Sequence, residues 1–323
     1  MNVLMITTEW PTPDQPHRVP FLTRQVELLK SGGINIHVFH FEGKKDPINY
    51  LKAYQKVRAL IKTGNFNIVH AQWGQSALPA LGSGLPMVVT FRGSDLFGIA
   101  NTDGSYSWKG KILQVISRGV ARNADHIILV SEKMRSKLPV LTGKEISIIP
   151  SGINLSLFQP MAKVDCRKQL GLAEDKKLVL FGGDPDRTDK RFYLANEALN
   201  LVKENLNVDF LKVKSVPQSQ MPIYLNAADV VLLTSKHEGS PNIVKEALAC
   251  NRPVVSVDVG DVSERLANLS GCWVVVDSPL AIAESLTKVL NSTESYDYRN
   301  AVLPLDENIV TDRIIEIYNG MST

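Results

Sequence analysis

Two glutamates eight positions apart, Glu238 and Glu246, flank a segment that can bind an anion. The turn formers of residues 239–241 separate Glu238 from a helix predicted over residues 243–250, and Asn242 can cap that helix. The first N–H groups of a helix have no partner inside it, so this helix start is suited to a phosphate. Both carboxylates can face the same crevice and accept hydrogen bonds from the hydroxyls of one ligand.

The motif lies between two short apolar runs, residues 228–235 and 252–257, which we predict to be buried strands. Donors for a diphosphate beside carboxylates for ribose and sugar hydroxyls are what a nucleotide sugar requires. The spacing of the glutamates alone also fits an ordinary βαβ crossover with a solvated glutamate on each side.

The segment His237 to Asn242, followed by Glu246 and by residues 253–255 and 260–264, closely resembles the donor-binding signature of retaining GT-B glycosyltransferases of family GT4. The resemblance implies that Glu238 contacts the donor sugar and Glu246 the ribose. It implies that the backbone from Asn242 to Val244 binds the diphosphate. The donor-binding segment then comprises Gly239, Ser240, Pro241, Asn242, Ile243 and Val244.

Length and composition indicate a globular protein with two domains. The chain has 323 residues, of which 44% are hydrophobic and 21% charged. A net charge of +3 is too small to indicate a nucleic-acid partner. The three cysteines share no metal-ligand spacing, and the first residues lack a signal peptide's pattern, so we expect a cytoplasmic protein.

Strands alternate with helices along both halves, which predicts parallel sheets covered on both faces. Proline, glycine and polar residues interrupt this alternation over residues 149–160, as a linker does. We therefore predict an α/β protein of the GT-B class, with two Rossmann-like parallel-sheet domains facing across a cleft. The predicted domains are residues 1–152 on the acceptor side and 153–303 on the nucleotide-sugar side, with a helix in 304–323 that returns to the first domain.

The loop of residues 182–191 follows a predicted strand, Lys177 to Phe181, and is expected to complete the anion site. In GT4 enzymes, an arginine after the glycine and a lysine some six residues later bind the diphosphate. Lys190 matches the lysine, but the arginine position holds Asp184. We infer that Arg187 substitutes from another backbone position, although a loop arginine can simply face solvent.

Candidate acceptor-side residues follow the strands of the first half. Arg92 and Asp95 lie after the predicted strand Met87 to Phe91, where GT4 enzymes commonly have a histidine before Gly and Asp. A guanidinium cannot act as a base near neutral pH, so Arg92 is expected to act through its charge. The remaining acceptor-side candidates are Arg18, His70 and Trp73; local packing explains His70 and Trp73 equally well, and a surface position explains Arg18.

No cofactor or metal is expected. The first loop lacks the G-x-G-x-x-G pattern of nicotinamide and flavin enzymes, and Pro241 stands where H-E-x-x-H requires its second histidine. Lys190, Arg187 and the helix start can neutralise a departing diphosphate without a metal. The expected catalytic residues are Glu238, Arg92 and Lys190.

A predicted helix around Tyr50 to Lys62 is amphipathic and basic, with Leu51, Tyr54 and Val57 on one face. Such helices can contact anionic membranes. Packing of this apolar stripe on the sheet, with solvated lysines outside, is the interpretation we favour. A peripheral contact with the inner face of the membrane remains the alternative.

These features predict a retaining glycosyltransferase that moves a sugar from a nucleoside diphosphate to an acceptor hydroxyl. By family association, the acceptor is a glycan or a lipid-linked glycan, in surface polysaccharide or glycolipid synthesis. Two alternatives remain: a GT-B epimerase of sugar nucleotides, and a non-catalytic module that binds a nucleotide sugar. Arg92 and Asp184 keep the module possible because both depart from the family pattern.

Overall fold

The computed structural model describes residues 1–44, 46–98, 107–214 and 216–321. These residues form two compact units, one made of residues up to 152 together with 307–321, the other of residues 153–306. Each unit has its own parallel sheet. The predicted α/β class with two parallel sheets is confirmed.

The first unit contains a six-stranded parallel sheet in the order β2-β1-β3-β4-β5-β6. Its strands are β1 (Asn2–Thr7), β2 (Asn35–His40), β3 (Ile68–Gln72), β4 (Met87–Phe91), β5 (His126–Leu129) and β6 (Glu145–Ile148). The central strands β3, β4 and β5 are buried along their whole length. Burial on both faces suits β4 and β5, which are apolar except for Thr90 and His126, whereas β3 also buries the polar His70 and Gln72.

The helices of this part of the chain are α1 (Pro20–Ser31), α2 (Pro47–Thr63), α3 (Ser94–Phe97) and α4 (Trp108–Asn123). Both α2 and α4 pack against a 3-10 helix, Gly74–Ala80, on one side of the sheet. They follow β2 and β4, and right-handed crossovers in this strand order place them on the same side. Helix α1 connects β1 to β2 and covers the opposite side.

The buried face of α2 differs from the predicted one. Ala53 and Val57 are buried, whereas Leu51 and Tyr54 are exposed, so the prediction of one packed stripe was wrong for those two residues. Helix α2 packs against the 3-10 helix Gly74–Ala80, and Val57 belongs to the apolar cluster that contains Ala77 and Ala80.

The second unit contains a five-stranded parallel sheet in the order β11-β10-β9-β7-β8. The first strand of this unit has the predicted bounds, Lys177–Phe181. The strands are β7 (Lys177–Phe181), β8 (Val208–Lys212), β9 (Val230–Leu233), β10 (Val254–Val257) and β11 (Trp273–Val275). The helices are α5 (Lys163–Gln169), α6 (Phe192–Lys203), α7 (Met221–Ala227), α8 (Asn242–Ala249), α9 (Val262–Leu266), α10 (Pro279–Asn291) and α11 (Arg299–Val302).

The last helix, α12 (Glu307–Gly320), belongs to the first unit and packs against α1. Ile314 and Tyr318, one turn apart, are buried on its inner face. Arg24 on α1 donates to Glu307 at 2.8 Å and joins the start of α12 to α1. Within the described ranges, no helix has the length and apolar content needed to cross a membrane.

Candidate active site

The start of α8 carries groups that the protein itself does not satisfy. The N-cap residue is Pro241, with no side-chain cap hydrogen bond, so the prediction that Asn242 caps the helix was wrong: Asn242 is already its first residue. Across the described ranges, neither the Asn242 and Ile243 amides nor the buried Asn242 Oδ1 has a hydrogen-bond partner. The Val244 amide donates to Pro241 O at 3.2 Å. Two unpaired amides and one unpaired acceptor suit an oxygen-rich ligand.

A half-buried ion pair lies in the same unit. Lys190 ends the 3-10 turn Thr188–Lys190 after β7, and its Nζ is 2.5 Å from Glu238 Oε1. Gly183 allows this position, because a Cβ there would be 3.0 Å from Lys190 Cγ and Cδ. The loops after β7 and β9 thus bring together two predicted site residues that are 48 positions apart.

Arg191 fixes the loop that carries Lys190, a role the sequence analysis missed. Its side chain is buried, and its guanidinium donates to Thr234 O at 2.6 Å and to Ser235 O at 3.2 Å. A bidentate pair with Asp277, at 2.5 and 2.9 Å, completes its contacts. Its partners are mostly backbone carbonyls at the end of β9, so no motif in the sequence could have indicated the role.

The loop around Ser240 is supported by the segment after β10. Ser240 Oγ donates to Asp261 at 2.9 Å, and Arg265 Nε donates to the same carboxylate oxygen at 2.9 Å. Gly260 has φ +53°, and a Cβ there would lie 2.5 Å from Gly239 O. Only glycine therefore allows the two loops to approach this closely. This contact explains why the signature includes residues 260–264.

Glu246 lies inside α8 and is buried. Burial raises the pKa of this carboxyl to about 7, while the charge of Lys245 and a hydrogen bond from Gln218 act in the opposite direction. Near neutral pH the carboxyl therefore exists in both protonation states. A ligand hydroxyl that donates to Glu246 would favour the ionised state.

Arg187 is exposed and pairs with Asp189, with Nη2 to Oδ2 at 2.7 Å. Asp184 accepts from the Asp186 amide at 3.0 Å. Neither side chain joins the Lys190–Glu238 pair in this structure.

In the first unit, Arg92 is held by side chains on every side. Its Nε and Nη2 donate to Gln72 Oε1 at 3.0 and 2.6 Å, and its other bonds go to Ser151 and Gln25 at 2.9 and 3.1 Å. The guanidinium carbon lies 4.7 Å from the ring centre of Phe21. Burial lowers the pKa of Arg92 to about 10, so the side chain stays cationic at neutral pH.

His70 supports Arg92 from inside rather than lining a cleft. The ring is fully buried, and burial lowers the pKa of His70 to about 3, so it is neutral. Gln72 turns its oxygen to Arg92, so its Nε2 donates to His70 Nε2 at 3.2 Å. Thr90 Oγ1 lies 2.8 Å from the same ring nitrogen. We assign the His70 proton to Nδ1 because Gln72 presents an N–H to Nε2; Nδ1 then donates to the Tyr318 hydroxyl at 2.5 Å, and the Thr90 hydroxyl donates to Nε2.

The other acceptor-side candidates have local partners. Asp95 is fully buried and accepts from the amides of Gly74 and Gly93 at 3.1 and 2.9 Å, which shapes the turn after β4. Arg18 donates to Glu9 at 2.6 Å. Trp73 is half-buried, has φ +69°, and faces the Arg92 guanidinium at 5.6 Å.

No group of three or more His, Cys, Asp or Glu side chains in the described part of the chain could hold a metal ion.

Two family models cover most of the chain. The model "Glycosyltransferase Family 4" matches residues 2–157, and "Glycosyl transferases group 1" matches residues 156–292. The chain belongs to the GT4 glycosyltransferases. The suspected family is confirmed, and this assignment makes the protein an enzyme of the EC 2.4 class.

Curated relatives of this GT4 enzyme agree with the assignment at low identity. It is 28% identical to a Bacillus subtilis glycosyltransferase assigned to teichuronic acid biosynthesis, TuaC, over 89% of each chain. It is 22% identical to the N,N'-diacetylbacillosaminyl-diphospho-undecaprenol alpha-1,3-N-acetylgalactosaminyltransferase of Campylobacter jejuni, over 91% of this chain and 88% of the relative.

Solved structures establish the fold. Sucrose-phosphate synthase from Thermosynechococcus elongatus has a TM-score of 0.81 at 18% identity, over 99% of this chain and 98% of that one. Anabaena HepE in complex with UDP and glucose has a TM-score of 0.70 at 15% identity, over 98% and 99% of the two chains. The GT-B fold predicted from the sequence is confirmed.

Proposed function

We propose that this GT4 enzyme transfers a sugar from a nucleoside diphosphate to an acceptor hydroxyl with retention at the anomeric carbon. The observation that carries the proposal is the Lys190–Glu238 pair, with Glu238 four residues before α8, together with the two amides at the start of α8 that have no partner among the described residues. A cation and helix amides suit a diphosphate, and a carboxylate suits sugar hydroxyls. Anabaena HepE has been crystallised with UDP-glucose, which supports a nucleotide-sugar donor for this fold.

The proposed chemistry starts with the bond between the anomeric carbon and the diphosphate. As this bond breaks, Lys190 and the Asn242 and Ile243 amides stabilise the negative charge on the leaving oxygens. The charge of Lys190 and the two N–H dipoles are proposed to stabilise the leaving group without a metal ion. The acceptor hydroxyl attacks from the same face, and its proton passes to the departing phosphate, which accounts for retention without a protein nucleophile.

Glu238 and Glu246 are proposed to bind different parts of the donor. Glu238 accepts from sugar hydroxyls while Lys190 turns to the diphosphate, so donor binding replaces part of their mutual contact. Glu246 accepts from the ribose in its ionised form. Arg92 is proposed to act on the acceptor side through its fixed positive charge, together with Trp73.

The acceptor is proposed to be a glycan or a lipid-linked glycan of a surface polysaccharide or glycolipid. The printed names of the Bacillus and Campylobacter relatives, which refer to teichuronic acid and to a diphospho-undecaprenol substrate, support this class. Three free cysteines, two of them buried, fit the cytoplasm as the place of action.

The donor can be tested by thermal shift with UDP, GDP, ADP and their sugar conjugates. A ligand that binds only the folded state raises the melting temperature, so we expect a shift with one base family. The matching sugar nucleotide is then incubated with glycan acceptors, and the anomeric configuration of the product is read by NMR. No shift with any nucleotide contradicts the donor site. A product of inverted configuration contradicts retention, and isomerised donor formed without acceptor indicates an epimerase.

A further inference from the structure

Two helices of the first unit concentrate the positive charge of the chain. Helices α2 and α4 contain eight basic residues and no acidic one, although the whole chain has a net charge of only +3. The rest of the chain is therefore net acidic. The eight residues are Lys52, Lys56, Arg58, Lys62, Lys109, Lys111, Arg118 and Arg122.

Large apolar side chains lie exposed among these charges. On α4, Trp108 is 66% exposed and Val115 67% exposed, and Ile112 is exposed between them. Their spacing of four and three residues places them in one stripe along the helix. On α2, Ile48 and Leu51 are each 59% exposed. Leu51 and Tyr54, which were predicted to pack on the sheet, are thus exposed to solvent, where a second surface can bury them.

The two exposed faces point to the same side of the unit, because α2 and α4 pack against the same 3-10 helix, Gly74–Ala80. We name this surface the basic apolar face. It consists of Ile48, Leu51, Lys52, Lys56, Trp108, Lys111, Ile112 and Val115.

A cavity of about 310 Å³ opens beside the α2 part of this face, at the carboxyl end of β2. Lys44, Lys52 and Lys56 line it, with Phe39 and Phe41 as an apolar wall. His40 also lines it, and its buried Nε2 has no hydrogen-bond partner within the described residues. Of the three lysines, Lys44 pairs with Glu42. Burial lowers the pKa of His40, so the ring is neutral and the lysine ammonium groups are the donors for a phosphate oxygen; Glu42 also lines the cavity.

We propose that the basic apolar face binds the surface of a bilayer containing anionic phospholipids. Trp, Ile, Leu and Val side chains enter the boundary between headgroups and acyl chains, while the lysines contact lipid phosphates. The cavity at the end of β2 receives one headgroup phosphate. Charge decides this occupant, because exposed apolar residues among the eight basic residues of α2 and α4 are complementary to a negatively charged apolar layer.

This inference rests on the proposed function in one respect: the lipid-linked acceptor identifies the membrane surface as the inner face of the cell membrane. Binding to vesicles requires no turnover. An enzyme that transfers sugar to a water-soluble acceptor but does not bind vesicles contradicts the inference alone. An enzyme that binds vesicles but transfers no sugar contradicts the proposed function alone.

The test is co-sedimentation of the full chain with vesicles of phosphatidylcholine, with and without phosphatidylglycerol. We expect binding to the anionic vesicles, with bound fraction falling as salt concentration rises. Ile112→Ser with Val115→Ser, and separately Lys52→Glu with Lys56→Glu, should each weaken binding by about tenfold or more. Matched controls in the second unit are Leu280→Ser on α10 and Lys168→Glu on α5, both exposed.

Melting temperatures confirm that each variant is folded before its binding is compared. No binding of the wild type to anionic vesicles overturns the proposal, as does equal binding by face variants and controls. Sedimentation of the protein without vesicles tests whether the face binds a second copy of the chain instead. If the wild type is a dimer and the Ile112→Ser, Val115→Ser variant is a monomer, the face is a dimer interface and the proposal is wrong.

Discussion

The polar cluster at the start of α8 and the one around Arg92 differ in how many of their hydrogen-bonding groups have partners within the protein. At the start of α8, amides and an amide oxygen lack partners among the described residues, and the nearby Lys190–Glu238 pair is half-buried. In the first unit, each guanidinium nitrogen of Arg92 donates to a side chain, and aromatic rings lie beside it. The first arrangement is suited to groups that a ligand completes; the second holds one charge in a fixed position.

The largest expected effect tests the unsatisfied cluster. Lys190→Ala should weaken binding of the donor's nucleoside diphosphate by about 1.5–3 kcal/mol, because a charged hydrogen bond is lost, and leave nucleoside affinity nearly unchanged. Isothermal titration of both ligands measures this. Lys203→Ala, an exposed lysine in the same unit, is the control. Equal losses for both ligands would place Lys190 away from the diphosphate.

The buried carboxylate gives a pH-dependent effect. The folded pKa of Glu246 is about 7 and its ordinary value is 4.5, so the folded state binds the proton more tightly. Folding stability is therefore lost as pH rises from 4.5 to about 7 and changes no further above that. Glu246→Gln should remove this loss. The free energy of unfolding of the ligand-free variant, relative to the wild type, should therefore be higher at pH 8 than at pH 4 by roughly 1–3 kcal/mol.

Urea unfolding at both pH values measures the difference, with the exposed Glu284→Gln as control. The same variant should bind the donor more weakly at pH 8, since a neutral amide replaces the carboxylate. A constant stability difference between wild type and Glu246→Gln across this pH range would show that Glu246 does not titrate near 7.

The fixed charge of the first unit is tested by Arg92→Lys. Lysine cannot donate to Gln72, Ser151 and Gln25 from one planar group, so the charge loses its position. We expect kcat to fall by about tenfold or more, while the donor Kd is unchanged because the donor cluster lies in the second unit. Steady-state kinetics and donor titration separate the two effects, with Arg313→Lys as control. A raised donor Kd with unchanged kcat would reverse the assignment of Arg92.

The last prediction concerns the support behind Arg92. Tyr318→Phe leaves the buried His70 Nδ1–H without an acceptor, which should lower the free energy of unfolding by about 1–3 kcal/mol. Nitrogen NMR of His70 should show the proton on Nδ1 in the wild type. A proton on Nε2 would mean that His70 donates to the Thr90 hydroxyl instead, and the proposed chain from Tyr318 to Arg92 would be wrong.

The local pattern of residues was enough to predict the class of the fold and the family. Buried parallel strands are continuous apolar runs, so β4 and β7 were predicted at their observed ends. Two edge strands, β6 and β11, were not predicted: β6 alternates polar and apolar residues, and β11 is only three residues long, although residues 272–276 are an apolar run. The donor signature was identifiable because its glycines and glutamates lie in order within some thirty residues.

Only the tertiary structure decided which distant side chains meet and which face of a helix is buried. The family pattern placed Lys190 and Glu238 in one anion site, but only the structure shows that their side chains pair, and Arg191 contacts backbone carbonyls that no side-chain pattern encodes. His70 is a support rather than a surface residue because α12 places Tyr318 beside it. The rotation of α2 buries Ala53 and Val57, and helical periodicity alone cannot tell a stripe that faces the sheet from one that faces outward.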